Sequence, residues 1–173
     1  KSNYTDPAYE NKSNRIDDEK HARDNLSGLL TEYCTNVKII GEAGDIESAE
    51  QLIIDLKPDL LFLDIRLSKK TGFDLLSRLE SKKFGLIFVT AYGSYALKAI
   101  RFSAVDYILK PINHKELVRA VRKFTDEMKY PFRPGLEGYL SGRALVRSGW
   151  FFPHKSPVSS LLLNHDLFDT VVH

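Results

Sequence analysis

The run Asp59-Leu60-Leu61-Phe62-Leu63-Asp64 restricts the fold more than any other stretch of this chain. Four consecutive apolar residues bounded by carboxylates suit a strand buried on both faces, which is the situation of a strand in a parallel sheet. A parallel sheet in turn requires helices between its strands, and the flanking sequence supplies that βα rhythm. Ala22, Leu26, Leu29, Leu30 and Tyr33 lie at the three- and four-residue spacings of one helical face, and Val37 to Ala43 reads as a strand. Asp45 can cap a second helix whose stripe is Ile46, Ala49, Leu52, Ile53 and Leu56, ending before Pro58. The pattern then repeats with a helix from about Phe73 to Leu79, a strand Leu86-Ile87-Phe88-Val89-Thr90, a helix carrying Ala96, Leu97 and Ile100, and a strand Tyr107-Ile108-Leu109. Asn113, with Glu116 three residues on, caps a last helix whose expected buried stripe is Leu117, Val118, Val121, Phe124 and Met128.

This rhythm divides the 173 residues into a polar flank over 1–14, an α/β domain over 15–130 and a loop-rich tail over 131–173. The tail holds four of the seven prolines and four of the ten glycines, and it is too short for a second domain of ordinary size. Its Trp150-Phe151-Phe152 triplet reads as a patch packed on the main domain. A hydrophobic fraction of 43% and a charged fraction of 28% argue against disorder and fibrous repeats. The formal net charge of +2 is too even to announce a nucleic-acid surface. No apolar run approaches the ~20 residues of a membrane span, and the polar start Lys1-Ser2-Asn3-Tyr4 is no signal peptide, so a cytoplasmic location is expected. Cys34, the single cysteine, has no internal disulfide partner and reads as packing; the sequon matches at Asn3 and Asn11 read as chance.

In an open parallel sheet the ligand site forms beyond the carboxyl ends of the strands. Asp17 and Asp18 precede the first helix, Asp64 ends a central strand, Thr90 ends the next and Lys110 the last, so five polar side chains from four strand ends can converge. Three neighbouring carboxylates repel one another unless a cation compensates them, and Mg²⁺ is suited to an all-oxygen site of this kind. Asp64 can then act as nucleophile toward phosphorus, with Lys110 and the Thr90 hydroxyl stabilising the transferred phosphoryl oxygens. Taken singly, each residue has a plainer reading: Asp17-Asp18 as a helix cap, Asp64 as a turn residue, Thr90 as ordinary strand propensity, Lys110 as a solvated charge. Their order on successive strand ends carries the functional reading.

The segments Ile16-Asp17-Asp18-Glu19, Leu61-Phe62-Leu63-Asp64-Ile65, Val89-Thr90-Ala91 and Asp106-Tyr107-Ile108-Leu109-Lys110-Pro111 resemble the receiver domain of bacterial two-component response regulators, over roughly Ile16 to Met128. Thr90 to Ala99 looks like the LytTR-type branch, whose members usually carry a DNA-binding output domain. The resemblance implies a flavodoxin-like, doubly wound five-stranded parallel sheet of order 2-1-3-4-5 with helices on both faces. It implies phosphorylation of Asp64 by a sensor histidine kinase with Mg²⁺ as cofactor. Asp18 and Asp64 would hold the metal directly, Asp17 through water, and the Arg66 main-chain carbonyl would complete the protein ligands. Thr90 and Tyr107 would form the switch pair, and Lys110-Pro111 resembles a bond that is cis in the family. The face made by the fourth helix, fifth strand and fifth helix would change its affinity for a partner, a second copy among the candidates. Self-phosphorylation and autodephosphorylation are expected rather than turnover of a separate substrate.

Two features depart from that pattern. Asn11-Lys12-Ser13-Asn14-Arg15 offers no apolar residue to a first strand that should lie at the sheet centre, so either the strand is short and poorly packed or another segment, such as Ser160-Leu161-Leu162-Leu163, takes its place. The tail also does not look like a LytTR module, so direct nucleic-acid binding by this chain is not expected. An aspartate-nucleophile phosphatase would want an acid where Arg66 stands, and a flavin carrier's phosphate would be repelled by Asp17-Asp18-Glu19. The serious alternative is a phosphorylation-independent interaction module with a receiver-like fold.

Overall fold

A computed structural model describes residues 10–129. Five parallel strands form one sheet: β1 (Asn11–Ile16), β2 (Val37–Ala43), β3 (Leu60–Leu63), β4 (Gly85–Thr90) and β5 (Asp106–Leu109), in the order β2-β1-β3-β4-β5. The connections are α1 (Lys20–Tyr33), α2 (Ile46–Leu56), α3 (Gly72–Arg78), α4 (Ala96–Arg101) and, after β5, α5 (His114–Lys129). The fold is flavodoxin-like and doubly wound, and its strand order is the expected one. Among the described residues no helix is long and apolar enough to cross a membrane.

Alternation along the strands creates two cores. Leu61, Leu63, Leu86 and Phe88 face a cluster completed by Ile46, Ala49 and Ile53 of α2, Phe73, Leu75 and Leu76 of α3 and Ala99 of α4. Leu60, Phe62, Ile87, Val89 and Ile108 point the other way, against Leu26 and Leu30 of α1 and Leu117, Ala120, Val121 and Phe124 of α5. All four residues of β3 are buried, as its uninterrupted apolar run requires. Cys34 closes the second core, where burial pushes its thiol up to about 11.

The first strand is where the chain departs most from its sequence pattern. β1 spans six residues, pairs with both β2 and β3, and occupies the sheet centre although only Ile16 is apolar. It therefore reaches back to Asn11, inside the stretch that the pattern assigns to the polar flank. Main-chain hydrogen bonding is indifferent to side-chain polarity, and several polar side chains are met locally. Asn11 donates to the Asn36 carbonyl at 3.2 Å, and the Ser13 hydroxyl donates to the Lys38 carbonyl at 3.2 Å. Asn11 is also only 4% exposed, which leaves no room for a glycan at that sequon. Because β1 fills the place between β2 and β3, no substitute strand is needed there; Ser160 to Leu163, like Trp150 to Phe152, lies outside the described residues.

Smaller differences lie on the helices. Val118, expected in the buried stripe of α5, is 37% exposed, and Tyr33 and Leu56 sit at the rims of their stripes rather than inside them. Tyr33 stacks instead on His114, with ring centroids 4.8 Å apart, joining the end of α1 to the start of α5. Leu97 and Ile100 of α4 project into solvent, and Ala99 supplies its buried contact.

Among the described residues, one buried side chain of β1 has its whole amide unmatched. Asn14 is wholly buried, and neither its amide oxygen nor its amide nitrogen has a partner. It packs beside Gly41, where a Cβ would come within 3.0 Å of the Asn14 oxygen and 2.9 Å of Leu52 and Leu56. An unpaired buried polar group costs about 1–3 kcal/mol, and an apolar group of the same shape removes that penalty. Asn14→Leu is therefore expected to raise the unfolding free energy in a urea titration by about 1–2 kcal/mol; a loss of stability would contradict this account of β1.

Candidate metal and phosphoryl site

Ladder hydrogen bonds that run one residue past the strand ends aim the candidate side chains. The Asp17 N–H donates to the Ala43 carbonyl at 3.0 Å, the Asp64 N–H to the Ile16 carbonyl at 2.8 Å and the Lys110 N–H to the Thr90 carbonyl at 2.8 Å. These bonds fix three backbones at one edge of the sheet, so their side chains meet above it. Gly72 closes the floor: a Cβ there would fall 2.5 Å from the Asp64 carbonyl oxygen, so only glycine lets α3 start this close to the strand end.

Oxygen atoms of Asp17, Asp18 and Asp64 lie within 4.8 Å of one another. Asp17 and Asp64 are buried, and the Lys110 ammonium bridges them at 2.7 Å and 2.8 Å. Burial pulls the Lys110 ammonium down, but its hydrogen bonds to both carboxylates outweigh that and hold its pKa above the ordinary lysine value. Asp17 moves above the usual carboxylate range, because burial and the Asp64 charge outweigh the stabilising bonds from Lys110 and the Glu19 N–H. Asp18 is exposed, and its Oδ2 accepts from the Ser68 N–H at 2.9 Å and the Ser68 hydroxyl at 3.1 Å. The Arg66 N–H donates to Asp64 Oδ1 at 3.3 Å, which sets the Arg66 main chain beside the central carboxylate.

The donor set fits a hard divalent cation. Only Asp17 and Asp64 of the three carboxylates pair with Lys110, so the cluster is short of positive charge, and Asp17 is raised chiefly by its burial, with the Asp64 charge adding to it. A small oxygen-seeking ion such as Mg²⁺ would supply what is lacking.

The switch candidates are placed differently. Thr90 is fully buried at the end of β4, and its hydroxyl has no hydrogen-bond partner among the described residues. The Tyr107 hydroxyl donates to the Tyr92 carbonyl in the loop before α4. Burial, then the Asp64 charge, raises the Tyr107 phenol. The Lys110–Pro111 peptide bond is cis.

Three supporting residues escaped the sequence reading. Arg23 Nη1 donates to the Asp17 carbonyl at 2.5 Å, Arg15 Nη1 donates to the Arg23 carbonyl at 2.7 Å, and both guanidiniums lie near Glu42, at 2.8 Å from Arg15 and 3.4 Å from Arg23. No spacing rule links residues 15, 23 and 42, so only the folded chain reveals them. The third, Ser68, is equally remote in sequence from Asp18. The reciprocal cap of α3, in contrast, was readable: Thr71 and Asp74 stand at the capping-box spacing and exchange hydrogen bonds.

A doubly wound sheet with an acidic trio and a lysine gathered at its carboxyl edge defines the receiver class of signalling domain. The chain belongs to the response regulator receiver domain family, whose pattern it matches over residues 15–122. It is 43% identical over 115 residues to the sensory transduction protein LytT of Enterococcus faecalis, covering 65% of this chain and 47% of that protein. Against LytT of Bacillus subtilis it is 45% identical over 111 residues, covering 63% of this chain and 46% of the relative. The chain thus spans about half the length of these curated relatives, and they accord with the LytTR-type branch. Among solved structures, the response regulatory domain of protein mrkE from Klebsiella pneumoniae matches with a TM-score of 0.62 at 27% identity, covering 68% of this chain and 98% of that one. The REC domain of AraT from Geobacillus stearothermophilus matches with a TM-score of 0.62 at 29% identity, covering 69% and 96%.

The raised Asp17 generates a test. Its folded pKa lies above the unfolded value of 3.8, so the metal-free fold is penalised at every pH where Asp17 must ionise, and the penalty fades as pH falls through that window. Asp17→Asn should stabilise the metal-free chain at neutral pH by about 1 kcal/mol, a usual gain from relieving a strained functional site. That advantage should shrink as the medium is acidified toward pH 3.8, and a variant less stable than wild type at neutral pH would overturn the assignment.

Proposed function

We propose that this domain accepts a phosphoryl group on Asp64 from the phosphohistidine of a sensor kinase and uses it to switch a partner or an output domain. The observation that carries the proposal is the bridging of Asp64 and Asp17 by Lys110 within 4.8 Å reach of Asp18, at the carboxyl edge of a receiver fold. Asp18, Asp64, Asp17 through water, and the Arg66 carbonyl would hold Mg²⁺. When bound, the ion supplies charge compensation for the acidic trio and for the incoming phosphoryl oxygens.

The chain's own residues do the rest. A carboxylate oxygen of Asp64 attacks phosphorus, the P–N bond to the donor imidazole breaks, and the imidazole leaves with the electron pair. Lys110, no longer needed between two carboxylates once the metal compensates them, pairs with one phosphoryl oxygen. The Thr90 hydroxyl, which has no hydrogen bond to give up, donates to another. Its movement toward the phosphoryl group opens space that the Tyr107 ring enters, breaking the bond to the Tyr92 carbonyl. The added charge of about −1.5 to −2 is the local event that this pair reads out.

The readout surface is the face of α4, β5 and α5, where Leu97 is 80% exposed, Ile100 68% and Leu109 46%. Exposed apolar side chains at this density support a docking or homodimer role. We assign the domain to the cytoplasm, where its kinase donor would act. We also assign it self-phosphorylation and autodephosphorylation rather than turnover of a separate substrate, and no direct contact with nucleic acid.

Intact mass after incubation with Mg²⁺ and a small phosphodonor tests the reading. Wild type should gain one phosphoryl group and Asp64→Asn none, and wild type should show no gain when Mg²⁺ is omitted from the incubation. Equal gain in both proteins would displace Asp64 as acceptor, and no gain in either would favour a phosphorylation-independent interaction module.

A further inference from the structure

We infer that Ser68 is a positioning residue for the metal site, holding the Asp18 carboxylate so that its second oxygen stays available for Mg²⁺. The inference rests on the proposed reading of the acidic trio as that site.

The three carboxylates are held in unequal ways. Asp17 and Asp64 are buried and share Lys110, while Asp17 also accepts from the Glu19 N–H at 3.0 Å. Among the described residues the exposed Asp18 has no ion pair, and its hydrogen bonds come from Ser68, fifty positions away. Both Ser68 donors take the same oxygen, Oδ2, which leaves Oδ1 without a protein donor. An exposed aspartate on a strand-to-helix turn would otherwise rotate freely, and ordering it on metal binding would oppose affinity.

The loop that carries Ser68 is itself braced. Arg66–Leu67 pairs antiparallel with Lys70–Thr71, and Ser68 at the turn adopts a φ of 55°. On one leg the Arg66 guanidinium lies over the Tyr92 ring at 5.4 Å. On the other, Lys70 forms an ion pair with Glu47 of α2, and Thr71 shares its capping box with Asp74. The same hairpin therefore carries the Arg66 carbonyl, a proposed ligand, and the donor that orients Asp18. Donors that fix a ligating carboxylate commonly change metal affinity by about 10–100-fold when removed.

The test is a calorimetric Mg²⁺ titration of wild type, Ser68→Ala and Ser68→Gly, with metal-free melting curves of all three. Both variants lose the hydroxyl but load the turn differently, since glycine accepts a positive φ more readily than alanine. The inference predicts that Mg²⁺ dissociation constants rise about tenfold in both variants, while the metal-free melting temperature of Ser68→Gly stays at or above that of Ser68→Ala. Wild-type binding with an unchanged constant in Ser68→Gly would overturn the inference. Absence of Mg²⁺ binding by wild type would remove the metal-site reading, and this inference with it.

Discussion

The domain is organised around an electrostatic conflict: three carboxylates, from the ends of two adjacent strands, stand within 4.8 Å of one another, with one ammonium between two of them. In water such repulsion would be screened, but two of the three are buried, where a charge is expensive unless matched. Lys110 matches part of it and is held there by a ladder bond from its own N–H to Thr90. A divalent cation would match the remainder.

The rest of the fold can be understood as the apparatus that keeps this conflict in place. β3 is buried on both faces and supplies Asp64 from a backbone that cannot easily shift, and Gly72 lets α3 begin directly beneath it. Arg23 and Arg15 tie the Asp17 main chain to α1 and to Glu42 of β2, so the turn that presents the acidic pair is fixed from behind. The hairpin after β3 supports the exposed member, Asp18.

Much of this was legible in the sequence because it is local. The apolar run before Asp64, the helical stripes of α1 and α2 and the acidic pair before α1 are short-range patterns that periodicity and capping rules read directly. The gathering of Asp17, Asp18, Asp64 and Lys110 followed from their places at successive strand ends, and the sheet order from the resemblance that those motifs carry. What was not legible was β1. Apolar content is the usual sign of a central strand, and Asn11 to Arg15 lacks it; main-chain pairing and the local partners of Asn11 and Ser13 substitute, with Asn14 left unmatched. The supporting contacts of Ser68 and Arg23 were hidden for another reason, since they join residues whose proximity exists only after folding. The exposure of Leu97, Ile100 and Val118 also escaped a pattern that records where apolar residues fall but not which of them the fold buries.

The central claim is that the three aspartates act as one cation site. Carboxyl ¹³C chemical shifts of Asp17, Asp18 and Asp64, followed by NMR through a Mg²⁺ titration, test it most directly. The account predicts that all three resonances move together along a single binding curve. Independent curves, or an Asp17 and Asp18 that stay still while Asp64 alone responds, would contradict it.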